Sequence, residues 1–260
     1  MKKLLLGLIL LSLNTYASLG GEEIYNYQFM RVGTVNGCKA VLLEDDIAIT
    51  AAHCVVGGAN EFLFHMKLYD GRNLSADWIP VKNIVIHPKY NSKKKKTYDL
   101  ALVFLERVPS ESIDYFKKAP LELNKKFLIS NDSSAPLVLF SQLSSGQGGV
   151  APWYLSEVKL KKNFKNRPAN SYLPAENNKV CPGDSGAPIF SVTESGEYQL
   201  HALVSGGTEN LKYFIERNYR NLRGYFVLAP QCDDVLKTFY AVPLVRHLEW
   251  INATIKSSLN

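Results

Sequence analysis

Cys181-Pro182-Gly183-Asp184-Ser185-Gly186-Ala187-Pro188 sets one serine between two glycines, with an acid directly before it and a cysteine shortly upstream. Glycine admits the backbone conformations that let consecutive N–H groups converge beside a hydroxyl, the local geometry of an oxyanion hole. The same tetrapeptide also closes ordinary turns. Its meaning depends on whether the rest of the chain supplies partners for the serine.

Two other stretches are candidates. Thr50-Ala51-Ala52-His53-Cys54 ends an apolar strand on a histidine, and Asp99 opens the apolar run Leu100 to Leu105. Each has a plainer reading. A lone histidine at a strand end is more often structural, as His87 before Pro88 is expected to be. An acid before a strand can be a turn residue. A carboxylate held against a buried strand nevertheless needs donors, or its desolvation costs several kcal/mol. Together His53, Asp99 and Ser185 supply what acyl transfer requires: a hydroxyl nucleophile, an imidazole to take its proton, and a carboxylate to fix the tautomer. Their order along the chain, and Ala187 in place of a glycine, exclude the Gly-x-Ser-x-Gly elbow of the α/β-hydrolases.

The surroundings suit an exported, all-β protein. The chain has 260 residues, 46% hydrophobic and 21% charged, which argues for a packed core and against disorder. Residues 1–17 read as a signal peptide. Lys2 and Lys3 precede the apolar run Leu4 to Leu13, and Thr15-Tyr16-Ala17 forms a small-x-small cleavage site. That run is too short to span a bilayer. Export makes Cys38, Cys54, Cys181 and Cys232 expected disulfide partners, although four cysteines leave three pairings open. The formal charge of +6 falls to about +4 once the leader is removed, too mild to imply nucleic acid.

From Val32 onward short apolar runs alternate with turn signals, at the spacing of a barrel or sandwich. The expected strands centre on residues 41–43, 47–49, 62–64, 84–86, 100–105, 137–139, 158–160, 188–190 and 203–204. Only the end is expected to be helical, with Val245, Leu248, Trp250, Ile251 and Ile255 near one face. Asn166 to Asn178, rich in Asn, Pro and Ala, reads as a long surface loop.

In order and spacing these motifs resemble the trypsin/chymotrypsin family of serine endopeptidases over nearly all of residues 18–260. Thr50 to Cys54, Asp99-Leu-Ala-Leu102 and Gly183-Asp-Ser-Gly186 match the family's histidine, aspartate and serine motifs. Val204-Ser205-Gly206-Gly207 resembles its substrate-binding strand, and Phe239-Tyr240-Ala241-Val242 with the closing helix also fits. The resemblance implies two six-stranded antiparallel β-barrels with a C-terminal helix and the active site in the cleft between them. It implies Ser185 as nucleophile, His53 as general base and acid, Asp99 as orienting carboxylate, and the N–H groups of Gly183 and Ser185 as oxyanion hole. It further implies disulfides Cys38–Cys54 and Cys181–Cys232, a hydrogen bond from Ser205 near Asp99, and substrate contacts at Gly207 and Thr238. Asp184 would pair with a freed amino terminus, here Ser18-Leu19-Gly20-Gly21, which lies directly after the predicted leader cut.

The departures concern specificity. Lys179 stands at the floor of the primary pocket, where trypsins carry an acid, so a preference for Arg or Lys is not expected. An acidic substrate residue is one consequence; a lysine bent to solvent over a small or apolar pocket is the other. Residues 208–231 are longer than the family norm and would overhang the pocket. No metal is expected: Met66 and Ala76 replace calcium-binding carboxylates, and the histidines lack zinc spacing. No cofactor is implied. The expectation is a monomeric, secreted or periplasmic serine endopeptidase acting on proteins or peptides, with no membrane span. Its rivals are a non-cleaving homologue that binds a partner and a surface-acting esterase.

Overall fold

The computed structural model describes residues 22–24, 31–67, 74–94, 98–106, 129–130, 134–142, 153–162, 169–174, 180, 183–207 and 238–258. They form two closed antiparallel barrels. The first joins β2 (Val32–Val35), β3 (Cys38–Leu42), β4 (Ile47–Thr50), β5 (Glu61–Lys67), β6 (Leu74–Ile86) and β7 (Ala101–Leu105) in the order β2-β3-β4-β7-β6-β5. The second joins β8 (Leu137–Gln142), β9 (Trp153–Lys162), β10 (Asn170–Pro174), β11 (Pro188–Val192), β12 (Tyr198–Gly207) and β13 (Phe239–Pro243). Its order is β9-β10-β13-β12-β11-β8, closed by β8 pairing with β9. A short β1 (Glu22–Ile24) continues along β9 beyond β10.

Strand alternation explains why the central strands are apolar on both faces. On β7 and its lead-in, Ala101, Val103 and Leu105 fill the first barrel, while Leu100, Leu102 and Phe104 face a core shared between the barrels. On β3, Ala40 and Leu42 face the barrel interior and Val41 the shared core. Phe140, Phe190, Leu200 and Leu203 enter that shared core from the second barrel. The C-terminal helix α2 (Leu248–Ser258) closes it with Ile251, buried at 1% exposure, a side chain worth roughly 2–3 kcal/mol. Trp250 and Ile255 pack beside it.

The expected strands and closing helix are present, with two differences. The first is β10, inside the stretch 166–178 that reads as a loop. Polar Asn170 and Ser171 and two flanking prolines hide the strand, but Tyr172 is fully buried in the second barrel and pairs with Phe239 and Leu160. Tertiary burial of one aromatic outweighs local polarity there. The second is His53, which sits in a one-turn helix α1 (Ala52–Val55) just past β4 rather than on the strand.

Asn36-Gly37 makes the two-residue hairpin between β2 and β3, both residues at positive φ (48° and 77°), as a type I′ turn requires. Asn36 Nδ2 then donates to the carbonyls of Cys54 (3.0 Å) and Gly58 (2.7 Å), and the Cys38–Cys54 disulfide ties the same hairpin to α1. The turn that carries His53 is therefore held twice by its neighbour. Among the described residues no helix is long and apolar enough to cross a membrane.

Candidate active site

Strands β4 and β7 are antiparallel neighbours, with Thr50 opposite Ala101. The end of one strand therefore meets the start of the other. Three residues past Thr50 is His53, and two before Ala101 is Asp99, so the pairing register alone brings imidazole and carboxylate together. Asp99 is fully buried and accepts the backbone N–H of His53 on Oδ1 at 2.9 Å. His53 Nδ1 lies 2.7 Å from Oδ2. An ionised carboxylate only accepts, so the proton sits on Nδ1 and leaves the Nε2 lone pair open. Ser185 Oγ is 2.9 Å from that Nε2, within reach to donate its hydroxyl proton.

A third donor to Asp99 comes from the second barrel. Between β12 and β13 the register slips: Val204 faces Ala241 and Gly206 faces Tyr240. Ser205 is the extra residue of a bulge, a device that re-aims a side chain. Its hydroxyl is buried and donates to Asp99 Oδ2 at 2.6 Å, while Gly206 takes φ 153°. Nearby, burial and the Asp99 charge push the Tyr90 phenol above its ordinary range.

The serine turn is pinned by three backbone hydrogen bonds, two to β12 and one to β3. Gly186 N–H donates to Val204 O (2.7 Å), Val204 N–H to Ala187 O (2.9 Å), and Lys39 N–H to Ser185 O (2.8 Å). Gly183 and Gly186 both have positive φ, 105° and 76°. Gly186 has no alternative: an added Cβ would lie 2.0 Å from Lys39 O and 2.6 Å from Thr50 Oγ1. Among the described residues no hydrogen bond uses the N–H of Gly183 or of Ser185. Asp184 is fully buried and accepts the Ser141 hydroxyl on Oδ1.

Of the remaining expected residues, Gly207 pairs with Phe239 across β12 and β13. Thr238 is half-buried and accepts from Lys161 Nζ at 3.2 Å. Cys38 and Cys54 are bonded to each other. Ser18, Lys179, Cys181, Cys232 and the segment 208–231 lie outside the described residues. Cys38, Cys54 and His53 are close enough together for a metal ion, but the two sulfurs already form the disulfide and offer no thiolate.

Sequence reading passed over Lys39, Ser141 and the partners of His87. His87 is buried against Tyr98 and Trp250, with rings 4.9 and 4.6 Å apart, and its Nε2 is 3.3 Å from His247 Nδ1. Lys89 N–H donates to His87 Nδ1 at 3.2 Å, so the His87 proton sits on Nε2 and points at His247. Burial first, then His247 and Lys89, lower its pKa to about 4. The expected structural role fits this enclosure. His87 N–H also donates to Leu100 O at 2.9 Å, which braces the strand next to Asp99.

Comparison with known proteins agrees with the geometry. Serine proteinase stubble of Drosophila melanogaster is 26% identical over 202 residues, 69% of this chain and 25% of its own length. Chymotrypsin-like elastase family member 1 of Macaca fascicularis is 25% identical over 229 residues, 85% of this chain and 79% of its own. Serine protease 56 of Homo sapiens is 42% identical over 69 residues, 26% of this chain and 11% of its own. The chain thus spans only a small part of the first and third of these, and most of the second. The family model described as Trypsin matches residues 18–213, and the chain belongs to that family of serine proteases.

Proposed function

We propose that the protein is an exported serine endopeptidase that works through an acyl-enzyme. The observation that carries this reading is the unbroken line Asp99–His53–Ser185, at 2.7 Å and 2.9 Å, assembled across two barrels. In the first half-reaction His53 Nε2 takes the Ser185 proton as Oγ bonds to the scissile carbonyl carbon. The carbonyl oxygen becomes an oxyanion facing the N–H groups of Gly183 and Ser185. His53 then gives its proton to the leaving amine as the carbon–nitrogen bond breaks, and water repeats the sequence to release the acid. Asp99 stays ionised and steadies the imidazolium formed at each stage.

Residues 1–17 direct export, and residues 18–260 form the peptidase. Gly207, beside Phe239 on β12, offers backbone to an extended substrate, with Thr238 at the pocket edge. Lys179 turns the specificity away from basic residues. Cys181 and Cys232 pair to tie the nucleophile loop to the pocket wall.

Intact mass of the secreted protein, with and without a fluorophosphonate, tests the reading. The expected result is a chain starting at Ser18 that gains one adduct as the Ser185 Oγ–phosphorus bond forms and fluoride leaves. Ser185→Ala should abolish it. A processed chain that takes no adduct would favour a non-cleaving homologue.

A further inference from the structure

Asp184 is as buried as Asp99, at 0% exposure, yet a hydroxyl such as that of Ser141 cannot balance its charge. The first barrel supplies a cation. Lys39 follows Cys38 on β3 and shares its face with Val41, which belongs to the core between the barrels; Ala40 and Leu42 face the other way. A lysine on such a face usually carries its ammonium out to water. Lys39 does not: the residue is only 5% exposed. Its backbone is clamped to the serine turn, with N–H donated to Ser185 O at 2.8 Å and O accepting from Thr50 Oγ1 at 2.7 Å. Burial pushes the ammonium below its ordinary range, and the Asp184 charge opposes that push. Lys39 and Asp184 are thus each buried next to Ser185, where opposite charges offset part of the penalty each would carry alone.

We propose that Lys39 is the resident counter-charge of Asp184, a positioning residue by which the first barrel holds the Gly183–Ser185 turn in shape. The site then forms whether or not an amino terminus is freed at Ser18. The proposal rests on the reading of Ser185 as nucleophile.

The test compares chains starting at Ser18 with chains extended upstream of Ser18 by a short uncleaved tag. Each is made with Lys39, Lys39→Met and Lys39→Arg, and fluorophosphonate labelling rates and ester kcat and KM are measured. With Lys39 present the extension should leave labelling within about twofold. Lys39→Met should lower kcat on the order of 100-fold, the scale of a lost oxyanion donor, with KM much less affected. Lys39→Arg should recover most of that loss, which a purely steric role would not predict. A labelling loss of about tenfold or more on extension, with Lys39→Met unaffected, would overturn the proposal. A cycle of melting temperatures for Lys39→Met, Asp184→Asn and the double variant reads the pair without any activity. Coupled partners should give a double variant no worse than the poorer single one, and additive losses would overturn the proposal. If no chain takes the label, the hydrolase reading fails, and this cycle still decides the pair.

Discussion

Asp99 and Asp184 are both fully buried carboxylates, one hydrogen-bonded to the histidine that meets Ser185 and the other directly before Ser185 in the chain. Asp99, from the first barrel, accepts the hydroxyl of Ser205 from the bulge of β12; Asp184, from the second, accepts that of Ser141 on β8, and its proposed counter-charge is Lys39 of β3. Their surroundings otherwise differ. Asp99 accepts donors from His53 and Ser205, and one of those groups is an imidazole poised to gain a proton. In the proposed mechanism its charge is held ready for a cation that forms during reaction. In the proposed pairing Asp184 has a cation already in place and takes no part in proton transfer. On these two proposals one acid serves the transition state, and the other serves the shape of the turn.

The largest expected effect breaks this comparison on the catalytic side. Asp99→Asn should lower ester kcat by about 10⁴-fold, because an amide donor at Oδ2 favours the wrong His53 tautomer. The fold should persist, since the hydrogen-bonding atoms keep their places. Asp184→Asn should instead lose both rate and melting temperature, because it strands the charge of Lys39. Kinetics and thermal melts on both variants check the contrast; equal melting losses would show that the two acids do the same job.

Gly186 sharpens it from the structural side. Gly186→Ala drives a methyl group into Lys39 O and Thr50 Oγ1 from a backbone at φ 76°. Overpacking and left-handed strain together should cost about 3 kcal/mol, measured by chemical denaturation. The turn should shift away from β3, so labelling of Ser185 falls while the His53–Asp99 contact, built wholly within the first barrel, survives.

The Cys38–Cys54 disulfide joins the two sides, since Cys38 adjoins Lys39 and Cys54 adjoins His53. Its sixteen-residue separation implies that replacing both cysteines by alanine costs on the order of 3 kcal/mol. Denaturation midpoints should fall for the double variant, with labelling reduced but not abolished, because Asn36 still grips the helical turn.

How far these relations are legible in the sequence depends on which residues carry them. His53, Asp99 and Ser185 stand in motifs whose order is informative, and the apolar strands β4 and β7 announce themselves because both their faces are covered. The strand β10 is silent, since Asn170 and Ser171 look like loop residues until Tyr172 is seen inside a barrel. Lys39 is silent for another reason. A lysine beside a cysteine reads as a surface charge, and only its place opposite the serine turn, on the face it shares with Val41, changes that. Asp184 is visible as part of a motif, but its partner depends on packing between barrels, which no local pattern encodes.

His87 gives the smallest effect and extends the comparison from buried acids to a buried base. It is enclosed by Tyr98, Trp250 and His247, and its pKa is lowered from 6.5 to about 4. Protonation would place a hydrogen on Nδ1, where the Lys89 N–H already points. In the unfolded chain the imidazole binds its proton near pH 6.5, so between 6.5 and 4 the unfolded state holds more protons than the folded one. Stability from this residue is therefore complete above the window and is lost as pH falls through it. The loss should be on the order of 1–2 kcal/mol, read as the slope of unfolding free energy against pH. His87→Gln should lower the whole curve yet flatten that slope. Because the His87 ring packs on Trp250 of α2, while its backbone N–H, which does not titrate, holds Leu100 beside Asp99, the same acid range should loosen the docking of α2 before it disturbs the Ser185 turn. Hydrogen exchange at α2 and at Ala187 would rank the two.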